Sequence, residues 1–224
     1  MTTINPLTID PAVMNNIRPM LSIDIARVAQ LHHTAMGESL WAKLGQGFLR
    51  TLYGGLIDSD RFFGFVYVED YEVKGFIAGS TDADAMMSEV FRSLWIALGI
   101  ATLPTLRRPG VLLRLLETAR YFDKSALEAP VPAESLFCSF IPELRGKHIS
   151  GHINKVLFDE LLARGAQQVK VTTEVDNVGA NRQLTSWGFV DRGQFRFYGK
   201  DMVTYVLDLT TSDRVEACSR HHAV

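Results

Sequence analysis

The chain has 224 residues, of which 47% are hydrophobic, 21% charged and 10% aromatic. This is the composition of a folded globular protein of one large or decorated domain, and it excludes a disordered, collagen-like or disulfide-framework chain. Twenty-three Lys and Arg against 25 Asp and Glu leave a net charge of -2, so no global basic field is present to hold nucleic acid, although a local anion site stays open. The two cysteines, Cys138 and Cys218, stand in different contexts, which argues against a structural disulfide and for a reducing, cytoplasmic setting.

Met1 to Pro19 lacks a basic segment followed by an apolar one, so no secretory signal is read there. Asn16 to Met20 reads as a short opening strand. Ile25, Val28, Ala29 and Leu31 are then spaced for one helix face, with Ser22-Ile23-Asp24 at its start. Leu40, Leu44, Phe48, Leu49, Leu52 and Tyr53 predict a second helix, broken at Gly54-Gly55. Phe62–Val68 and Val73–Gly79 flank the polar turn Glu69-Asp70-Tyr71-Glu72 and predict a hairpin.

Residues 81–131 read as a helical insertion, with stretches around Val90–Ile100 and Val111–Phe122 joined through Pro104 and Arg107-Arg108-Pro109-Gly110. The longest uncharged apolar run, Ser93 to Leu106, is too short and too interrupted by Gly99 and Pro104 to span a bilayer, so a core or lid helix is expected. Strand character returns over Glu134–Ile141. A helix follows with Ile149, Ile153, Val156, Leu157, Leu161 and Leu162 as its buried face. Val169, Val171, Thr173 and Val175 alternate as a strand, Asn177–Trp187 forms a short helix, and Val190–Phe197 and Val203–Leu209 are the last strands. Residues 1–209 are expected to form a single domain, and 210–224 a loose polar tail.

The segment Arg145-Gly146-Lys147-His148-Ile149-Ser150-Gly151 joins a strand to a helix. The first-turn N–H groups of that helix have no intrahelical acceptor, the helix dipole adds partial positive charge, and Arg145 and Lys147 add full charges, so phosphate is the natural guest. Neither a P-loop nor a dinucleotide fingerprint is present.

With its surroundings, this segment resembles motif A of the GNAT superfamily of acyl-CoA-dependent N-acetyltransferases, whose pattern is Arg/Gln-x-x-Gly-x-Gly/Ala. The chain has Arg145-Gly146-Lys147-His148-Ile149-Ser150 there. Asp176-Asn177, Ala180 and Trp187-Gly188-Phe189 resemble the family's later N-x-x-A…G-F segment. The resemblance covers Ile17 to Leu209 and departs at two points. His148 stands where a glycine is usual, and Leu184 stands where the family has a Tyr that protonates the departing thiolate.

The resemblance implies an α/β (α+β) GNAT fold: a mixed, mostly antiparallel twisted sheet flanked by helices, split between its fourth and fifth strands, with a helical insertion before the fourth. It implies acetyl-CoA as co-substrate, with pantetheine pairing to backbone around Phe140, Ile141 and Pro142. The pyrophosphate would lie on the amides of Lys147, His148, Ile149, Ser150 and Gly151, beside Arg145 and Gly146, with Asn177 orienting the coenzyme or capping a helix. Glu134 is the expected general base, against a solvated residue at a strand start, with Glu174 and Asp176 behind it.

Strand alternation would put Glu134, Leu136, Cys138 and Phe140 on one face. Tyr198 is the alternative general acid, against core packing. Cys138, between Phe137 and Phe140, is expected to be a buried, inert thiol. No metal site is expected, because His32-His33 and Cys218 with His221-His222 lack zinc spacing. The acceptor is a primary amine on a small molecule or protein, a homodimer is compatible with the sequence, and no nucleic acid or transmembrane segment is expected. Two alternatives stand beside this reading, a non-catalytic acyl-CoA-binding module and an acyltransferase for longer chains with the insertion lining an acyl tunnel.

Overall fold

The computed structural model describes residues 8–37, 40–102, 131–197, 199–212 and 215. The elements run α1 (Pro11–Met14), β1 (Ile17–Pro19), α2 (Ile25–Ala35), α3 (Leu40–Lys43), α4 (Gln46–Ile57), β2 (Phe62–Glu69), β3 (Glu72–Ser80), α5 (Ala83–Thr102), β4 (Glu134–Phe140), α6 (Ile149–Ala163), β5 (Gln168–Glu174), α7 (Val178–Trp187), β6 (Val190–Phe197) and β7 (Lys200–Asp208). The second expected insertion helix, Val111–Phe122, and Tyr198 lie outside the described residues.

Seven strands form one sheet in the order β1-β2-β3-β4-β5-β7-β6, antiparallel throughout except for β4 beside β5. The central strands β2 and β3 are buried on both faces, which explains why their sequences read as nearly continuous apolar runs. One face packs Val66, Phe76 and Ala78 against Val28 and Leu31 of α2, Leu49, Leu52 and Tyr53 of α4, and Met86 and Val90 of α5. The opposite face packs Phe65, Ile77, Val169 and Leu207 against Ile153, Leu157 and Leu161 of α6 and Trp187 of α7. Among the described residues, no helix is long and apolar enough to cross a membrane.

Three local expectations are corrected. The helix predicted over Leu40–Tyr53 is two helices, divided at Gly45, whose φ of 95° no ordinary helical residue adopts. Gly54-Gly55 does not end it, because α4 runs on to Ile57. Gly55 serves packing instead: a Cβ there would overlap Leu94 Cδ1 and lie 3.1 Å from Val90 Cγ1, so its absence lets α5 approach α4 closely. In the tail expected to be loose, Val215 is 1% exposed within the α6-side core, and the Ser212 hydroxyl donates to the Trp187 carbonyl at 3.2 Å. A single apolar residue in a polar stretch carries no periodicity from which its docking could be read.

Helix α5 also begins earlier than its apolar pattern suggested. Asp82 Oδ1 accepts from the Ala85 amide at 3.0 Å, a side-chain cap that starts the helix ahead of the apolar run.

Candidate active site

Strands β4 and β5 share a single registered pair, Glu134 with Lys170, and the Lys170 amide donates to the Ala133 carbonyl at 2.9 Å. Beyond that pair the two strands part, so the sheet has a wedge with its vertex at Glu134. On its other side β4 pairs with β3 from Glu134 to Phe140, with a bulge that leaves Leu136 without a cross-strand partner.

The bulge changes which side chains share a face. Leu136 and Phe137 both pack toward α2 and α4, and the Ser139 hydroxyl donates to the Leu31 carbonyl of α2 at 3.4 Å. Phe140 packs on the α6 side, across Gly75, where a Cβ would overlap its ring. The expected common face of Glu134, Leu136, Cys138 and Phe140 is therefore divided at the bulge, an irregularity that strict alternation cannot represent. Cys138 is also not buried: it is exposed, yet so closely surrounded that its thiol is pushed up to about 12 by loss of hydration.

Backbone groups at the wedge follow from the ladder. The Ile141 amide donates to the Lys74 carbonyl at 2.9 Å, the Ile141 carbonyl accepts from Leu144, and the Pro142 carbonyl accepts from Arg145. Ile141 and Pro142 are thus committed within the protein, and Pro142 has no N–H. Alternation directs the N–H and C=O groups of Cys138 and Phe140 away from β3, toward the side where β5 has separated. Of the three positions expected to pair with pantetheine, Phe140 keeps open groups, and Cys138 joins it.

The loop between β4 and α6 turns sharply. Gly146 has φ 78° and His148 has φ 58°, the left-handed region that glycine enters without strain. The glycine usual at position 148 in the family pattern is thereby explained, since His148 adopts the backbone that glycine would supply freely. His152, one turn into α6, secures it. His152 Nε2 accepts from the Asp10 amide at 2.9 Å, so Nδ1 carries the proton and donates to the His148 carbonyl at 3.0 Å. Position 152 belongs to the helical pattern, and nothing in the sequence signals that role.

The Lys147 amide donates to Leu144 and the Gly151 amide to His148, whereas the amides of His148, Ile149 and Ser150 have no acceptor among the described residues. Arg145, Gly146, Lys147 and His148 are exposed. Across from them, Lys74 is clamped by Glu69 and Asp70 at 2.8 Å each, and hydrogen bonds from Lys74, aided by the charge of Lys147, hold both carboxyls below their ordinary range.

Glu134 lies at the vertex with its side chain 19% exposed, and Lys170 Nζ is 3.5 Å from its Oε2. Burial holds its carboxyl above the usual carboxylate range, opposed by Lys170 and reinforced by Asp84. Asn177 caps α7, accepting from the Ala180 amide at 3.2 Å, while its Nδ2 donates to Thr173 Oγ1 at 3.4 Å. Leu184 is 8% exposed in the α6-side core. Of the reserve carboxylates, Glu174 is paired with Lys200 at 2.5 Å and Asp176 is exposed. No group of three or more His, Cys, Asp or Glu side chains converges as a metal site among the described residues.

Solved structures of similar overall shape are found among acetyltransferases. An N-acetyltransferase from Staphylococcus aureus Mu50 superposes with a TM-score of 0.57 at 15% identity, over 86% of this chain and 97% of that one. A ribosomal-protein-alanine N-acetyltransferase from Brucella melitensis gives 0.56 at 14% identity, over 86% and 98%. The chain has the GNAT fold. A third structure, an acetyltransferase, gives 0.56 at 18% identity, over 86% and 98%. No family model and no curated protein matches the chain. In this chain the wedge, the β4 bulge and the first-turn amides of α6 follow one another along β4 and the loop after it.

Proposed function

We propose that this protein is an N-acetyltransferase that moves the acetyl group of acetyl-CoA directly to a primary amine. The observation that carries the reading is the wedge itself: unpaired backbone groups at Cys138 and Phe140 lead from the unpaired amides of His148, Ile149 and Ser150 toward a half-buried carboxyl at Glu134.

In this reading the coenzyme's diphosphate is held by those three amides and by Arg145 and Lys147, a match of anion to helix N-terminus. The pantetheine amides pair with the open edge of β4, as an added strand would. The thioester then lies beside the bulge. An acceptor ammonium has no lone pair, so it first gives a proton to the Glu134 carboxylate, directly or through one water. The amine nitrogen bonds to the thioester carbon, and N–H groups at the bulge hold the developing oxyanion. The C–S bond breaks, the nitrogen releases its surplus proton to water, and the thiolate takes a proton from water, since Leu184 has none to give; Glu134 returns its proton to solvent. No covalent enzyme intermediate forms.

The test is release of free thiol from acetyl-CoA in the presence of an alanine-initiated peptide, a lysine-containing peptide and a polyamine. Turnover with at least one amine, reduced about 100-fold or more by Glu134→Gln with coenzyme affinity kept, supports the reading. Coenzyme binding without turnover for any amine would favour a non-catalytic acyl-CoA-binding module, for which the apolar Leu184 is the motivating observation. The longer-chain alternative is answered in the same assay by comparing acetyl-CoA with longer acyl-CoAs.

A further inference from the structure

The vertex of the wedge holds a cation that the proposed reaction does not use. Lys170 extends from β5 with its side chain 12% exposed, and its ammonium lies 3.5 Å from Glu134 Oε2 and 4.0 Å from Asp84 Oδ2. Asp84 sits in the first turn of α5. The Lys170 backbone is fixed by the one registered pair between β4 and β5 and by the hydrogen bond its amide N–H donates to the Ala133 carbonyl. Its other neighbour strand, β7, presents Val206 opposite it. From β3, Ser80 pairs opposite Glu134 with a neutral side chain. Among the described residues, the charged groups facing Glu134 are therefore Lys170 from β5 and Asp84 from α5.

We propose that Lys170 is a positioning residue for Glu134, its ammonium keeping the neighbouring carboxylate ionised and directed into the wedge, with Asp84 competing for the same cation. The inference rests on Glu134 acting as the base. A half-buried carboxyl tends to hold its proton, and a protonated Glu134 cannot accept one from the acceptor amine. One ammonium at the pairing point of the two strands counters that tendency without contacting the substrate. Asp84 divides the ammonium's attraction and adds a like charge, so the two neighbours act on Glu134 in opposite directions.

Opposite signs make the proposal testable by two variants. The Glu134 carboxyl is followed by carbon-13 NMR in protein labelled at Glu Cδ and assigned with Glu134→Gln, while kcat/KM is measured against pH with acetyl-CoA and the peptide amine that the wild type acetylates. Lys170→Met is expected to raise the Glu134 midpoint and the acid limb of the profile together by about one pH unit. Asp84→Asn is expected to lower both, and Lys170→Arg to restore the wild-type position. Lys170→Gln serves as the second variant if Lys170→Met does not fold.

A midpoint that stays put, or falls, in folded Lys170→Met overturns the proposal while leaving the base assignment intact. Full turnover by Glu134→Gln overturns the base assignment itself, whatever Lys170 does.

Discussion

His32 Nδ1 lies 2.8 Å from the Tyr53 hydroxyl in a site where neither residue is exposed, with the Phe137 ring 4.8 Å from the imidazole. Burial lowers His32 to about 4, assisted by the neighbouring His33, and raises the Tyr53 phenol. The imidazole is neutral in the folded protein at pH 7, and its Nε2 has no partner among the described residues.

The unfolded chain therefore binds a proton at His32 that the native state refuses. A group whose folded value lies below its unfolded value contributes stability that is present above about 6.5 and lost as pH falls toward 4. The loss amounts to about 3 kcal/mol over that interval. Thermal unfolding of wild type and His32→Asn across pH 4 to 7.5 checks this, the variant being less stable at pH 7 and flatter in the acid range.

Gly54 and Gly55 make contrasting predictions although they are adjacent in one helix. A Cβ at Gly54 meets nothing within 4 Å, whereas at Gly55 it would overlap the Leu94 side chain. Gly54→Ala should stabilise by up to about 1 kcal/mol through helix propensity. Gly55→Ala should destabilise by about 1 to 2 kcal/mol, because overpacking of the α4–α5 contact outweighs the same gain. Denaturant midpoints of the two variants decide it.

At the loop proposed to hold the diphosphate, His148→Gly removes a side chain from a left-handed position, so coenzyme A affinity by calorimetry should hold or tighten. Arg145→Ala should weaken it severalfold and reduce its salt dependence, since one charge on the anion is lost. If His148→Gly abolishes binding, the imidazole itself contacts the coenzyme and the backbone account of this loop is wrong.

Cys138 tests the track of the pantetheine arm. Its exposed thiol with a value near 12 should react slowly with iodoacetamide at pH 7.5, because little thiolate is present. In a Cys218→Ser background, coenzyme A should slow the labelling further if its pantetheine arm covers Cys138. Labelling unaffected by saturating coenzyme would remove Cys138 and Phe140 from the proposed track.

Much of this fold could be read along the chain because its signals are local. The period of α2 and α6, the β2–β3 hairpin around Glu69 to Glu72, and the loop and helix after Phe140 each depend on neighbours within a few residues. Of the candidate site, the loop showed in its basic residues and glycine, whereas Glu134 was singled out only through the resemblance to the GNAT pattern. Lys170 and Asp84 were not legible, being separated from Glu134 by tens of residues and ordinary in their own elements.

The sequence by itself determined most of the elements, their order and the basic, glycine-containing character of the turn into α6, since hydrophobic period, caps and charge act over short range. Only the tertiary structure decided which groups at the wedge are open. Whether the Ile141 amide is spent on Lys74, whether Leu136 is bulged out of register, and whether a lysine stands beside Glu134 depend on strands brought together across the sheet. Pairing of that kind is settled by the whole packed core, so no short window of residues records it.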